Sequence, residues 1–417
     1  MIGSVGPASA ADIKRIQAGA GTRPESETNS ASASQSPSQS ASESGSTTGS
    51  IPDVEAGDLI GTNGIQGIYD EQLRGKPGHT VTLVERKHPS ELNPDRVTLS
   101  EPVSDQDLFT VAAVNGTPLK LSLDLELQTM VEKRLSNTIR GSFVMIDLAT
   151  GGVVAAADSG DARATADSAQ GHFPPGSTFK LVVSLALLRQ GFTPDTPVQC
   201  PETTTVNGMV FRNYSGYPSA KLGTITFADA LAESCNTAFI EAATKNLSIE
   251  QIQEAAASLG CGVDFSMGNP SFFGSLASTD QPTKFAADAI GQGDVLASPL
   301  AMAGVAASVA SGKTVVGWMV EGRTAPVTAK PLTQDEAKSL QKMAAGVVSS
   351  GTATSLKGIL VGAKTGTAEY QSAEGIETHG WMIGYNDKYA VAAFVFTGVS
   401  GSGDAGPLVK DILQGNP

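Results

Sequence analysis

The chain has 417 residues and carries 42 Asp and Glu against 28 Lys and Arg, a formal net charge of -14. A surface of that sign repels phosphate backbones, and no basic cluster with interleaved aromatics offsets it, which excludes nucleic acid as a partner. Three cysteines and four scattered histidines, with no paired zinc spacing and no H-E-x-x-H pattern, exclude a disulfide framework and a histidine metal site, so neither a metal nor a cofactor is expected.

Residues 1–50 read as a tail or tether, because the Ser-rich run from Glu25 to Ser50 holds no apolar side chain larger than alanine and cannot offset its ordering entropy by burial. Residues 51–118 mix turns such as RGKPGH with short β-type runs, TVTLVE and DLFTVAAV, and read as a small β-rich annex. The pattern changes from residue 119 to the end, 417. There DLELQTMVEKRL carries a helical apolar stripe and GSFVMIDLATGGVVAAADSG reads as a hairpin turning at Thr-Gly-Gly.

Helices follow with legible starts. Ser248 with Gln251 and Thr333 with Glu336 stand in capping-box register, and Ser298 precedes Pro299 at a first helical position. Near the end, HGWMIGYNDKYAVAAFVFTG is a second hairpin, turning at Asn386-Asp387. Strands at both ends with helices between them predict an α+β domain built on an antiparallel sheet.

The stretch PPGSTFKLVVSLALL, residues 174–188, sets a serine and a lysine at the mouth of an apolar run. Pro174, Pro175 and Gly176 cannot extend a helix backward, so a helix is predicted from near Ser177, with Ser177 and Lys180 neighbours on one face. Burial and the positive end of the helix both disfavour the ammonium form of Lys180, which makes it a base beside a nucleophile. A second Ser-x-x-Lys, Ser339 to Lys342, lies on an amphipathic helix whose stripe of Ala337, Leu340, Ala344 and Val347 turns the lysine outward.

Two further segments complete a constellation: Ser234-Cys235-Asn236, holding the chain's one Ser-x-Asn, and Lys364-Thr365-Gly366-Thr367, holding its one Lys-Thr-Gly. With Ser-x-x-Lys before them, these three motifs mark penicillin-binding proteins and β-lactamases. The chain resembles the penicillin-binding proteins, most closely the class B transpeptidases, over nearly everything from Leu119 onward, including PPGSTFK, GAKTGTAE, IGQGDVLASPLAMA and the HGW that follows. The annex segment GIQGIYDEQLRGKPG is also similar to the part that joins the family's stalk to its catalytic domain.

That resemblance implies a five-stranded antiparallel sheet flanked by helices and a serine acyl-enzyme D,D-transpeptidase that cross-links peptidoglycan stem peptides and is inhibited covalently by β-lactams. Ser177 would be the acyl carrier, Lys180 its base, and Ser234, bridging toward Lys364, the route by which a proton returns to the leaving D-alanine. Thr365 and Thr367 would hold the terminal carboxylate, Gly366 would let the substrate backbone lie along the strand edge, and Asn236 would bind the acyl-side amide. The backbone N–H groups of Ser177 and Thr367 would form the oxyanion hole. The same motifs serve a D,D-carboxypeptidase, a β-lactamase or a β-lactam sensor domain, and they do not separate these readings.

The resemblance places the chain outside the cytoplasmic membrane, where its substrate lies, with cell-wall synthesis proteins as partners. Membrane attachment is expected only through an anchor missing from this chain. Cys200 and Cys261 are the pair the sequence offers for a disulfide, and whether they join stays open. Cys235 reads as a buried packing residue, with no histidine near it in sequence to activate a thiol. His379 and Trp381 read as packing or cleft-lining residues, and Glu369 as a hydrogen-bonding wall of the site.

Overall fold

The computed structural model describes residues 2–17, 54–84, 102–326, 328–373 and 375–415. The chain folds as two compact units, Met1–Leu119 and Lys120–Pro417.

In the first unit the strand Val5–Pro7 pairs antiparallel with Leu59–Gly61, and the helix Ala10–Gln17 packs Ile13 and Ile16 against buried Ala8, Val54 and Ile60. Residues 1–50, expected to be a tail, therefore begin with folded structure. The apolar residues on either side of the Ser-rich run bury one another, a pairing across sequence that composition read locally does not reveal. The Ser-rich run itself lies outside the described residues. Of the annex's β-type runs, His79–Val84 and Pro102–Val111 form one antiparallel pair, as expected for a β-rich segment.

In the second unit, strands β1 (Arg140–Asp147), β2 (Val153–Gly160), β3 (Gly362–Ser372), β4 (Gly375–Tyr385) and β5 (Tyr389–Val395) form one antiparallel sheet in the order β3-β4-β5-β1-β2. Both predicted hairpins are present, and the β5–β1 pairing joins them, Tyr389 opposite Asp147 and Val395 opposite Gly141. Each turn has a side-chain staple: Asp147 Oδ1 accepts from the N–H groups of Ala149 and Thr150, and Asn386 Oδ1 from those of Lys388 and Tyr389.

Ala390 to Phe394 of β5 are buried without alternation, as a strand covered on both faces must be. Helices α1 (Leu125–Leu135) and α8 (Gly406–Gln414) pack on each other and on β2 and β5. Helix α6 (Pro299–Ser311) lies against β1, β4 and β5, buried all round from Pro299 to Val309. Each fully buried Val, Leu or Met there contributes about 1.5–3 kcal/mol of hydrophobic free energy.

The caps form where the sequence places them. Both capping boxes close, at Ser248 for α5 (Ile249–Ser258) and at Thr333 for α7 (Gln334–Ser349). On α7 the stripe of Ala337, Leu340, Ala344 and Val347 is buried while Lys342 points outward and pairs with Asp195, so the second Ser-x-x-Lys builds no site.

Candidate active site

The predicted helix starts later than Ser177. Gly176–Phe179 is one turn of 3-10 helix, and the α-helix α2 runs Lys180–Arg189. The cause is Gly176, at φ 54°, whose N–H donates to Gly291 O at 2.8 Å and whose missing side chain lets the turn press against β3. A Cβ there would stand 2.7 Å from Thr367 O. Residues three apart eclipse one another in 3-10 geometry, and with Lys180 directly after the turn its side chain comes over that of Ser177.

Lys180 is fully buried, and its Nζ meets four oxygens: Ser177 Oγ at 3.0 Å, Ser234 O at 2.8 Å, Ser234 Oγ at 3.3 Å and Asn236 Oδ1 at 2.7 Å. Two of the four, Ser234 O and Asn236 Oδ1, can only accept hydrogen bonds. The amide orientation of Asn236 is set by its Nδ2, which donates to Arg212 O at 3.0 Å. A neutral amine has two N–H donors and one lone pair, so satisfying both carbonyl-type oxygens leaves the lone pair for a hydroxyl proton. Burial first, then the nearby Lys364 charge, push the Lys180 pKa well below the ordinary lysine value, which favours that neutral form.

Ser234 is a non-glycine residue in the left-handed region, at φ 61°. That conformation lets it face Lys180 with both its carbonyl and its hydroxyl. The residues after it open α4 (Asn236–Asn246), with Cys235 at the N-cap. Lys364, on edge strand β3 and also fully buried, donates to Ser234 Oγ at 2.9 Å and to Thr365 O at 2.9 Å. Burial lowers its pKa to about 7. Ser234 Oγ thus joins two buried amines, and the three motifs, distant in sequence, share one hydrogen-bonded network.

The other expected residues divide. Gly366 sits where a Cβ would meet Pro175 O and Thr178 Cγ2, both at 2.9 Å, so the strand's approach to the Ser177 turn requires glycine. Thr365 is buried, with its hydroxyl bonded to Thr352 Oγ1 at 2.6 Å, whereas Thr367 is half-buried and its hydroxyl has no partner among the described residues. Glu369 is exposed and makes no hydrogen bond among the described residues, contrary to the wall role expected of it. His379 stacks on Tyr370 with ring centroids 4.1 Å apart, bonds Phe396 O through Nδ1, and is held by burial at a pKa of about 4. Trp381 is buried against Phe394 and donates to Pro174 O at 3.0 Å. Both pack, as expected.

The cysteine expectation is corrected. Cys200 bonds Cys235, with Cα atoms 6.3 Å apart, and Cys261 is the free, buried thiol. Cys235 faces the strand Pro197–Cys200, a direction set by its N-cap position on α4, which spacing along the chain does not disclose. Asn213 belongs to the site as well, although no motif marks it. Its Oδ1 accepts from Asn236 N at 2.8 Å and Thr237 N at 3.2 Å, and its Nδ2 donates to Pro201 O at 3.1 Å. The sequence carries no signal for it: Cys235 caps Ala238 N through its sulfur at 3.4 Å, and the oxygen that takes the two N–H groups before it comes from a loop 23 residues upstream.

Among the described residues no group of three or more His, Cys, Asp and Glu could hold a metal ion, and no helix is long and apolar enough to cross a membrane.

A family profile described as the penicillin binding protein transpeptidase domain matches residues 141–414. Peptidoglycan D,D-transpeptidase PbpA of Mycobacterium tuberculosis is 29% identical over 291 residues, covering 59% of this chain and 56% of that protein. The chain thus spans about half the length of the curated relatives it matches. Among solved structures, penicillin-binding protein PBP2 of Helicobacter pylori, in complex with MreC, superposes with a TM-score of 0.71 at 23% identity, covering 98% of this chain and 75% of that one. Penicillin-binding protein A of M. tuberculosis, as a ceftriaxone acyl-enzyme complex, gives 0.62 at 21% identity, covering 72% and 81%.

Proposed function

Because this chain belongs to the family of penicillin-binding protein transpeptidase domains, we propose that it is a serine D,D-transpeptidase that takes acyl-D-Ala-D-Ala stem peptides of peptidoglycan as donors and is acylated by β-lactams. The observation that carries this reading is the set of oxygens around Lys180 Nζ, which leaves one lone pair beside Ser177 Oγ.

In the first half-reaction Ser177 Oγ attacks the carbonyl of the penultimate D-Ala while its proton passes to Lys180 Nζ. The N–H groups of Ser177 and Thr367 receive the oxyanion, and each such donor is worth about 2.7–4 kcal/mol to the transition state. Collapse breaks the C–N bond. The proton travels from Lys180 through Ser234 Oγ to the departing D-Ala amine, which leaves Ser177 as an ester. In the second half-reaction an amine of another stem peptide attacks that ester, gives up a proton to the same relay, and Ser177 Oγ regains its hydrogen.

Thr367 Oγ1 is the free hydroxyl for the substrate's terminal carboxylate, with Lys364 supplying positive field. Thr365 would donate to it while accepting from Thr352 Oγ1. Gly366, on the edge strand of the sheet, lets the donor peptide lie along β3 as an added strand. Asn236, already tied to Lys180 and Arg212 O, would meet the acyl-side amide at the same point. Such a substrate places the site outside the cytoplasmic membrane, with proteins of cell-wall synthesis as partners. The MreC complex of the H. pylori protein supports partners of that kind.

The test is a labelled penicillin. Peptide mapping is expected to find the adduct on Ser177 in the wild type and none in Ser177→Ala. No adduct, or one on Ser339, overturns the reading. Slow release of the label is expected, and rapid turnover would make the chain a β-lactamase.

A further inference from the structure

We infer that Asn213, with the Cys200–Cys235 disulfide, is a positioning residue that holds Ser234 and Asn236 onto Lys180 and so keeps that amine closed off from water and aimed at Ser177. The inference rests on the transpeptidase reading and extends it to a residue outside the three motifs.

The N-cap of helix α4 is Cys235, whose disulfide-bonded sulfur accepts from Ala238 N at 3.4 Å, a weaker acceptor than the oxygen of Ser, Thr, Asp or Asn. That bond leaves the first two N–H groups of the helix for another acceptor. The oxygen comes from Asn213, which takes the N–H groups of Asn236 and Thr237, the first two residues of the helix. Asn213 is in turn fixed by its own Nδ2 on Pro201 O, and Thr237 Oγ1 donates to that same carbonyl at 2.7 Å. Pro201 follows Cys200 directly, so the covalent strut and the hydrogen-bonded strut start from adjacent residues and end on adjacent residues.

Between them they restrain both residues that follow Ser234. A serine at φ 61° is held there against a steric preference of about 1–2 kcal/mol, and it relaxes unless its neighbours are fixed. Relaxation would swing Ser234 O away from Lys180 and loosen Asn236 Oδ1, the two acceptors that use up the amine's N–H donors. Water would enter, the burial that depresses the Lys180 pKa would lessen, and the amine would hold its proton to higher pH.

The experiment measures the second-order acylation rate by a fluorescent penicillin from about pH 5.5 to 9 on the whole chain, with melting temperature recorded alongside. Asn213→Ala is expected to acylate about 10–100-fold more slowly at neutral pH, with the acid limb of its profile moved to higher pH. Asn213→Asp, which keeps both acceptor bonds to α4 but loses the donor to Pro201 O, is expected to recover part of the rate. Where the alanine variant does not fold, Asn213→Gln carries the test: one methylene longer, it displaces the same oxygen and should show a smaller loss with the same limb shift. A folded Asn213→Ala or Asn213→Gln with the wild-type rate and wild-type limb overturns the inference, as does a rate loss with no movement of the limb. If the wild type itself is not acylated, the transpeptidase reading has failed instead.

Discussion

Replacing Gly176 with alanine tests the claim that the Ser177 turn works because it is pressed against β3. Two penalties follow from the structure. The residue sits at φ 54°, where a side chain costs about 1–2 kcal/mol. The new Cβ would also lie 2.7 Å from Thr367 O, so turn and strand must part by about 0.7 Å to reach ordinary contact at 3.4 Å. The strand is paired with β4 along its whole length, from Gly362 opposite Tyr385 to Ser372 opposite Gly375, so the turn yields and carries Ser177 with it. A displacement approaching 1 Å of a reacting group is worth up to about 100-fold in rate. Gly176→Ala is therefore expected to melt a few degrees lower and to be acylated about 30–100-fold more slowly, read by stopped flow with a fluorescent penicillin. A folded variant acylated at the wild-type rate would refute the reasoning.

Four further outcomes follow from the same geometry. Ser234→Ala removes the hydroxyl shared by Lys180 and Lys364 and is expected to slow acylation about 100-fold or more, the low end of a general acid–base contribution, with penicillin binding before acylation little changed. Since kcat/KM reports the free enzyme, the acylation profile should fall on the basic side near pH 7 as Lys364 loses its charge, and a flat profile to pH 9 would remove Lys364 as the carboxylate's cation. The folded chain binds fewer protons than the unfolded one at Lys364 between about pH 7 and the ordinary lysine value of 10.5, so this residue makes stability rise with pH through that window, its penalty being fully present below about pH 7. Chemical denaturation should show that slope in the wild type and a shallower one in Lys364→Met, which keeps the contribution of Lys180, itself lowered by burial. Converting Cys200 and Cys235 together to serine opens a cross-link spanning 35 residues, and the chain-entropy account predicts a loss of about 3–4 kcal/mol, to be measured by denaturant unfolding.

The parts of this molecule legible in its sequence are those whose signals are local. Ser248, Ser298 and Thr333 announce caps because a cap is a bond spanning about three residues, and both hairpins declare themselves through alternation and turn chemistry. Ser177 and Lys180 share a turn whichever helix type carries them, which is why the pair is readable although the onset of α2 is not. What escapes is settled between segments. Val5–Pro7 finds its partner at Leu59–Gly61 across the Ser-rich run, Cys235 meets Cys200 because an N-cap points it there, and Thr365 lends its hydroxyl to Thr352. Asn213 looks like an ordinary polar residue, because its task is defined by a helix that starts 23 residues later.

The two buried lysines make sense only as a pair. Each alone would be a costly burial, and both charged together would add repulsion in a medium that screens poorly. Ser234 Oγ, within hydrogen-bond reach of both, lets them differ. Lys364 donates to that hydroxyl and to Thr365 O, and burial lowers its pKa to about 7. Lys180, surrounded by oxygens that use up two N–H groups, is pushed further down by the charge on Lys364. The proton therefore resides on the amine nearer the edge strand, where a carboxylate would dock, and is absent from the one beside Ser177, where a base is needed. In the proposed reaction an anion docked near Lys364 would strengthen its hold on that proton, and the positive charge so fixed would keep Lys180 neutral at the moment Ser177 loses its own.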